Sequence, residues 1–206
     1  ALTTDAASLT FPTAAAAADQ LSTGQIQNFS VGSLSLTAGS IAIDSAFNFP
    51  NIQTLALNST AGAITASAVV TAANLSLNSA TSATLSAGNR IANLGSVRTA
   101  SGNFTLVNVQ GMSLAGAVSV AGTADLTVAG QFYNYSGQAM PFAGTTGRAV
   151  VRSLSMMGGM PSQISALAGF TPSYNFTDPG TSRAMIYAVS PLTMFAPGGT
   201  VIAGLN

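Results

Sequence analysis

The sequence predicts an all-β chain, organised as a right-handed parallel β-helix (a solenoid) with a loop-rich C-terminal region; a β-sandwich is the alternative architecture. Three observations carry this. First, the apolar residues come in short runs that alternate with small polar ones, the two-residue period of a strand with one face buried: Leu34-Ser35-Leu36, Leu55-Ala56-Leu57 and Leu75-Ser76-Leu77. Second, these runs recur at steps of 21 and 20 residues. A repeat near that length with several short strands in it marks a solenoid, whose coils each carry about three short strands and stack at roughly 4.8 Å. Third, the runs end in Gly, Asn or Ser, which turn the chain and tolerate left-handed backbone at corners.

Residues 1–24 read as an N-terminal arm. The arm holds a strand candidate, Ser8-Leu9-Thr10-Phe11, then Pro12 and the run Ala14 to Ala18, which is too short to be a stable helix alone. It either packs on its own domain or is donated to a neighbouring subunit by strand addition. Residues 25–137 are the repeats. Beyond the three Leu-x-Leu anchors come Phe104-Thr105-Leu106 and Leu126-Thr127-Val128, 22 residues apart, with Ile41-Ala42-Ile43, Ile64 to Val70, Val107 to Val109 and Val118-Ser119-Val120 between anchors. The interval from Leu75 to Phe104 is 29 residues, so a register slip or an intruding loop is expected there. Five to six coils at the stacking distance of a sheet give a rod roughly 25–30 Å long. Residues 138–206 hold six of the seven Met, six of the eight Pro and three of the five Arg. Alternation persists in Ala149-Val150-Val151 and from Ala184 to Val189, so this third is expected to cap the last coil or to form a contact surface.

Composition narrows the function. Only 5% of the 206 residues are charged, all positives being Arg and all negatives Asp, and the net charge is zero. The absence of His and Cys removes imidazole and thiol chemistry, zinc and iron–sulfur ligation and disulfides. Nucleic acid is not an expected partner, because its affinity comes mainly from cations set against phosphate. The longest apolar stretch, Ala61 to Ala73, falls short of the ~20 residues a membrane helix needs, so no transmembrane segment is expected. No basic, apolar leader opens the sequence, so a signal peptide is expected to have been removed or never attached to this piece. A surface this poor in charge does not repel its own copies, which makes the chain itself the expected partner.

The run Phe132-Tyr133-Asn134-Tyr135-Ser136-Gly137-Gln138-Ala139, followed by Gly147-Arg148 and an apolar strand, resembles a passage of the filamentous-haemagglutinin-like exoproteins that Gram-negative bacteria secrete by the two-partner route. Repeats such as Leu75-Ser76-Leu77-Asn78-Ser79 and residues 121–130 are similar to that family too. Ala149 stands where the family passage has Trp, and Arg152 where it has Tyr. Asn48-Phe49-Pro50-Asn51 does not match the N-P-N-type motif of the family's secretion domain. The resemblance, which spans residues 30–190, implies a secreted protein of the bacterial surface, either a piece of a long exoprotein or a short relative. The expected function is then that of a structural subunit of a secreted, self-associating surface or matrix filament, with an adhesive role open to it. The alternatives are a β-sandwich filament subunit that exchanges its arm, and a monomeric adhesin fragment whose C-terminal region binds host glycan or protein.

No catalytic, cofactor-binding or metal-ligating residue is assigned, and no enzyme activity is expected. The carboxylates Asp5, Asp19, Asp44, Asp125 and Asp178 are far apart in sequence, with no Trp platform for sugar. Asp44 and Asp125 are expected at turns or corners, and Asp178 as an ion-pair partner of Arg183. No calcium nonapeptide occurs, and Gly158-Gly159 and Gly198-Gly199 lie in no phosphate-binding pattern. Asn28, Asn58, Asn74, Asn103, Asn134 and Asn175 begin Asn-x-Ser/Thr sequons, which so Asn- and Ser-rich a chain produces by chance. Asparagines at the corners of stacked coils are instead expected to form amide ladders between coils. The absence of Thr-x-Thr argues against an ice-binding face.

Overall fold

A computed structural model describes residues 32–48, 52–138, 140–155, 170–173 and 178–187, together with the backbone of Leu2–Thr3, Leu9–Phe11, Thr193–Phe195 and Val201–Ala203. Among these residues there is no helix, and every strand pairing is parallel except that of Thr193–Phe195 with Val201–Ala203. The strands wind into a parallel β-helix of about five turns. This is the predicted solenoid and not the β-sandwich alternative, because equivalent strands of successive coils lie side by side instead of folding back on their neighbours in sequence.

Each coil has three faces. On the first, Ser33–Ala38 pairs with Thr54–Ser59, which pairs with residues 74–79, then 93–99, then the segments Met112–Leu114 and Val118–Val120. On the second, Ile41–Ile43, Ile64–Ala66, 83–89, Phe104–Asn108, 124–128, Ala149–Ser155 and Arg183–Tyr187 follow one another. The third is short: Phe47–Asn48 lies on residues 70–71, and residues 71–72 on 90–91. Two adjacent outward residues mark the corner between third and first faces, Ala73-Asn74 between buried Ala72 and Leu75, and Ala92-Asn93 between buried Ile91 and Leu94.

The Leu-x-Leu anchors register as their spacing predicts: Leu34 on Leu55 on Leu75, and Leu36 on Leu57 on Leu77. These side chains point inward into one continuous core that extends from Leu34 to Met185. Each fully buried Leu or Ile removes enough apolar surface from water to contribute about 1.5–3 kcal/mol. Two expectations about register need correction. Phe104 does not lie on Leu126; Leu106 does, and Phe104 sits between Ala83 and Ala124. Small residues above and below make room for the largest side chain, which a match of apolar type alone does not reveal. The 29-residue interval between Leu75 and Phe104 arises because these residues lie on different faces. Leu75 is carried on by Leu94, and Phe104 is preceded by Ala83. A true slip occurs beside Leu94, where Gly95 and Ser96 add one residue before Val97 takes its place on Leu77.

Both ends extend the same ladders. Leu2–Thr3 pairs with residues 36–37 and Leu9–Phe11 with Ile41–Ile43, so these parts of the N-terminal segment form a rung on their own chain. Past residue 137, Ala149–Ser155 and Arg183–Tyr187 continue the second face, and Thr171–Ser173 lies on the outer edge of the latter. The helix propensity at residues 14–18 and most of the predicted C-terminal loops lie outside the described residues.

Candidate functional site

Polar groups appear in the interior at two columns. At the corner from first to second face, Ser59, Ser79 and Thr99 stack and are buried. Each hydroxyl donates to the carbonyl three residues ahead: Ser59 to Gly62 at 2.6 Å, Ser79 to Ser82 at 2.9 Å, Thr99 to Gly102 at 2.7 Å. At the corner from second to third face, Asn89 and Asn108 are fully buried and stacked. The Asn89 Oδ1 accepts from the Val70 N–H at 2.9 Å, while its Nδ2 donates to the carbonyls of Leu85, Ala87 and Val107. Asn108 repeats this one coil on, accepting from the Ile91 N–H at 2.8 Å and donating to Ile91 and Gln110. A buried amide is tolerable only when its hydrogen bonds are made, and these supply partners to backbone at a bend where the ladder is interrupted.

The outer side of the first face carries amide ladders, of which the Asn58–Asn78 one runs within strands and not at a corner as expected. The Asn78 Nδ2 donates to Asn58 Oδ1 at 2.7 Å, Asn58 to Thr37 Oγ1 at 3.4 Å, and Arg98 to Asn78 Oδ1 at 3.4 Å. Five residues along the strand, Asn93 donates to Asn74 Oδ1 at 3.1 Å. The column of Asn74 and Asn93 continues through Ser113 to Tyr133. Two of the sequon asparagines thus sit in ladders, Asn58 within a strand of the first face and Asn74 at the corner that opens that face. Thr65, Thr84 and Thr105 form a single column on the outer side of the second face.

The family-like passage builds a turn. The Asn134 Oδ1 accepts from the Ser136 N–H and Oγ at 3.1 and 2.6 Å, and its Nδ2 donates to the Gln138 carbonyl at 2.8 Å. Gly137 has φ 72°, the left-handed region that favours glycine. Tyr133 and Tyr135 stand on the same side of this strand with ring centres 5.7 Å apart and planes within 2°. Tyr133 donates to the Gln131 side chain, and Tyr135 is 60% exposed.

Charge gathers at the C-terminal rungs. Asp178 pairs with Arg148, not with Arg183 as expected. Arg183 lies opposite Ala149 in register, which aligns the preceding loop with Arg148 and turns the Arg183 guanidinium to the carbonyls of Gly147, at 2.7 Å, and Thr145. The hydrogen bond from Arg148, with the Gly180 N–H, holds the Asp178 carboxyl down at about 2, and the same bond raises the Arg148 guanidinium above its ordinary value. Asp125 is the second residue of its strand, just past the bend at 121–122, and its carboxylate is taken by Arg152 from the next rung and not by nearby backbone. Asp44 does lie in a turn, accepting from Ser67 Oγ at 3.1 Å. Asp5 and Asp19 lie outside the described residues, as do Asn28, Asn175, Gly158-Gly159 and Gly198-Gly199. Among the described residues no three carboxylates come together, and no helix is long and apolar enough to cross a membrane.

Sequence reading did not single out Asn89, Asn108 or Gln131. The signal for the first two was present: each Asn stands two or four residues after an inward Leu, at an even spacing that places it inside. Neither protein-family models, nor curated proteins, nor solved structures yield a match to this chain.

Proposed function

We propose that this chain is a structural subunit of a secreted, self-associating filament of the bacterial surface or extracellular matrix, whose copies join end to end. The observation that carries the reading is the continuity of one parallel ladder through successive coils, from Leu9–Phe11 to Arg183–Tyr187 on the second face. Every rung of such a ladder presents the hydrogen-bonding pattern the next one needs, so the edge of one copy is complementary to the opposite edge of another. A head-to-tail contact of this kind grows without closing and generates a filament. The scarcity of charge supports it, because little repulsion opposes contact between copies.

Negative-stain electron microscopy of the purified chain at neutral pH tests the proposal. Uniform fibres with a regular axial repeat are expected, and dispersed short particles at every concentration would overturn it. Removal of residues 1–24 distinguishes the modes of joining. Because residues 2–3 and 9–11 form a rung on their own chain, end-stacked fibres should survive with the rung at 33–48 as the new edge. Fibres joined by a donated arm would be lost.

A further inference from the structure

We propose that Thr171–Ser173 is a plug: it occupies the edge of Arg183–Tyr187 that the Leu9–Phe11 strand of a second copy would take, and it must lift off before copies join. The plug has this role only on the end-to-end reading of the chain's function. What marks it is an exception in the winding. On the second face each strand lies outside the one before it in the chain, from Leu9–Phe11 through Ile41–Ile43 and Ile64–Ala66 to Ala149–Ser155. The last two strands reverse that order. Thr171–Ser173 comes first in the chain, yet Arg183–Tyr187 lies between it and Ala149–Ser155. Among the described residues no strand lies beyond Thr171–Ser173, so the ladder ends on a segment laid out of turn.

The two strands are held very differently. Arg183–Tyr187 pairs along its whole length with residues 149–153, and arginines fasten it there. Arg183 donates to the Gly147 carbonyl at 2.7 Å and Arg148 Nε to the Thr181 carbonyl at 2.9 Å, while Arg148 also pairs with Asp178. Thr171–Ser173 is three residues long, and its middle residue is Pro172. Alternate residues of a strand direct their backbone groups to opposite neighbours, and proline has no N–H to give. If Pro172 faces Arg183–Tyr187, the plug is held by one donor fewer. If it faces outward, the plug offers the next copy no donor at its centre. Either way the segment is a poor rung, which is how proline blunts a sheet edge. Thr171 is exposed and Ser173 half-buried, both small and polar, so little apolar surface resists release. Just before them Phe170 packs edge-on to buried Phe142, ring centres 5.2 Å apart, and tethers the plug beside its slot. The strand that would replace it is a better rung. Leu9–Phe11 carries three N–H groups, runs parallel to the strands of this face, and among the described residues is paired on one side only. A second copy stacked in the same orientation brings it to residues 184–186 as a continuation of the ladder.

The chain has no cysteine, so an engineered pair can lock the plug without side reactions. Thr171→Cys with Ala184→Cys joins two residues in register, and the mass of the full chain reports closure of the bond. A second variant, Thr171→Gly with Ser173→Gly, keeps Pro172 and weakens the plug as a strand. Light scattering follows growth, and negative-stain microscopy identifies the fibres. The oxidised cysteine variant is expected to stay dispersed, and reductant should restore growth at the wild-type rate. The glycine variant should shorten the lag roughly tenfold, the scale of two lost strand preferences. Equal growth of the oxidised and reduced chains would overturn the plug and leave end-to-end joining intact. So would an unchanged lag in the glycine variant with its circular dichroism unchanged. Absence of fibres from wild type and from every variant, the glycine one included, would overturn end-to-end joining itself, and the plug with it.

Discussion

The middle coils and the C-terminal rungs solve the same problem by different means. Between residues 52 and 134 the described chain repeats a few devices: an inward Leu, Ile or Val, a corner hydroxyl bonded three residues ahead, an amide bonded to the coil before it. No ion pair joins two of these coils to each other. From residue 140 onward the repeat fades, and arginines take over: Arg152 reaches back to Asp125, Arg148 holds Asp178, and Arg183 supplies the carbonyls of residues 145 and 147. The contrast shows what repetition provides. Where coils are alike, each backbone group finds its partner in the next coil. Where the chain departs from the repeat, carbonyls are left over, and a long side chain with several donors is what can reach them.

The largest expected effect tests the first half of that contrast. Asn89→Leu keeps the volume of the side chain but leaves the Val70 N–H and three carbonyls without the amide. A loss on the order of 3–5 kcal/mol is predicted, read as a lower urea midpoint. A neutral result would mean that apolar packing alone holds the bend. Next is Gly116→Ala. A Cβ there would stand 2.5 Å from the Ser96 N and 2.7 Å from the Gly95 carbonyl carbon, so the coils at the bulge must separate. A cost of about 1–3 kcal/mol is expected from such overpacking, with hydrogen exchange accelerated at residues 93–99.

Arg183→Met examines the second half. It preserves much of the stem and removes the donors to residues 145 and 147, for an expected loss of about 1–3 kcal/mol. Amide exchange should rise around residues 140–155 while the middle coils stay protected, because a solenoid's stability is distributed over neighbouring units. Equal loosening of residues 52–134 would show that the two regions unfold as one. The smallest effect is the acid response of the Arg148–Asp178 pair. The folded carboxyl, at about 2, lies below its ordinary value of roughly 3.9, so the pair's contribution is complete above that ordinary value and fades as pH falls towards 2. Both groups are exposed enough for solvent to screen them, so the effect on the midpoint should be slight. Carbon-13 NMR of the Asp178 carboxyl should follow this low titration, and Arg148→Ala should raise it part of the way to the ordinary range, the Gly180 N–H still holding it below.

Much of the fold was legible because a β-helix writes its geometry along the chain. The steps from Leu34 to Leu55 to Leu75 are the circumference of the coil, and the alternation within each run says which side chains enter it. The 22-residue match of Phe104 to Leu126 shows where such reading fails. Period two permits shifts of two residues that keep every side chain on its face, and the choice between them was made by fitting Phe104 between two alanines. The amide ladders were anticipated as a kind of contact, but not which asparagines faced out and which, like Asn89, faced in.

By itself the sequence determined the all-β class, the coil length, the Leu-lined interior and the near absence of charge. These depend on pattern and composition, which survive without coordinates. Only the tertiary structure decided which rung each segment joins. It placed residues 2–3 and 9–11 on their own chain, and it gave Asp178 to Arg148. It also set Tyr133 in one column with Ser113 and Asn93. Those outcomes rest on register between segments distant in the chain, where a shift of two residues costs little locally and is settled by volume and by hydrogen bonds that exist only once the coils are stacked.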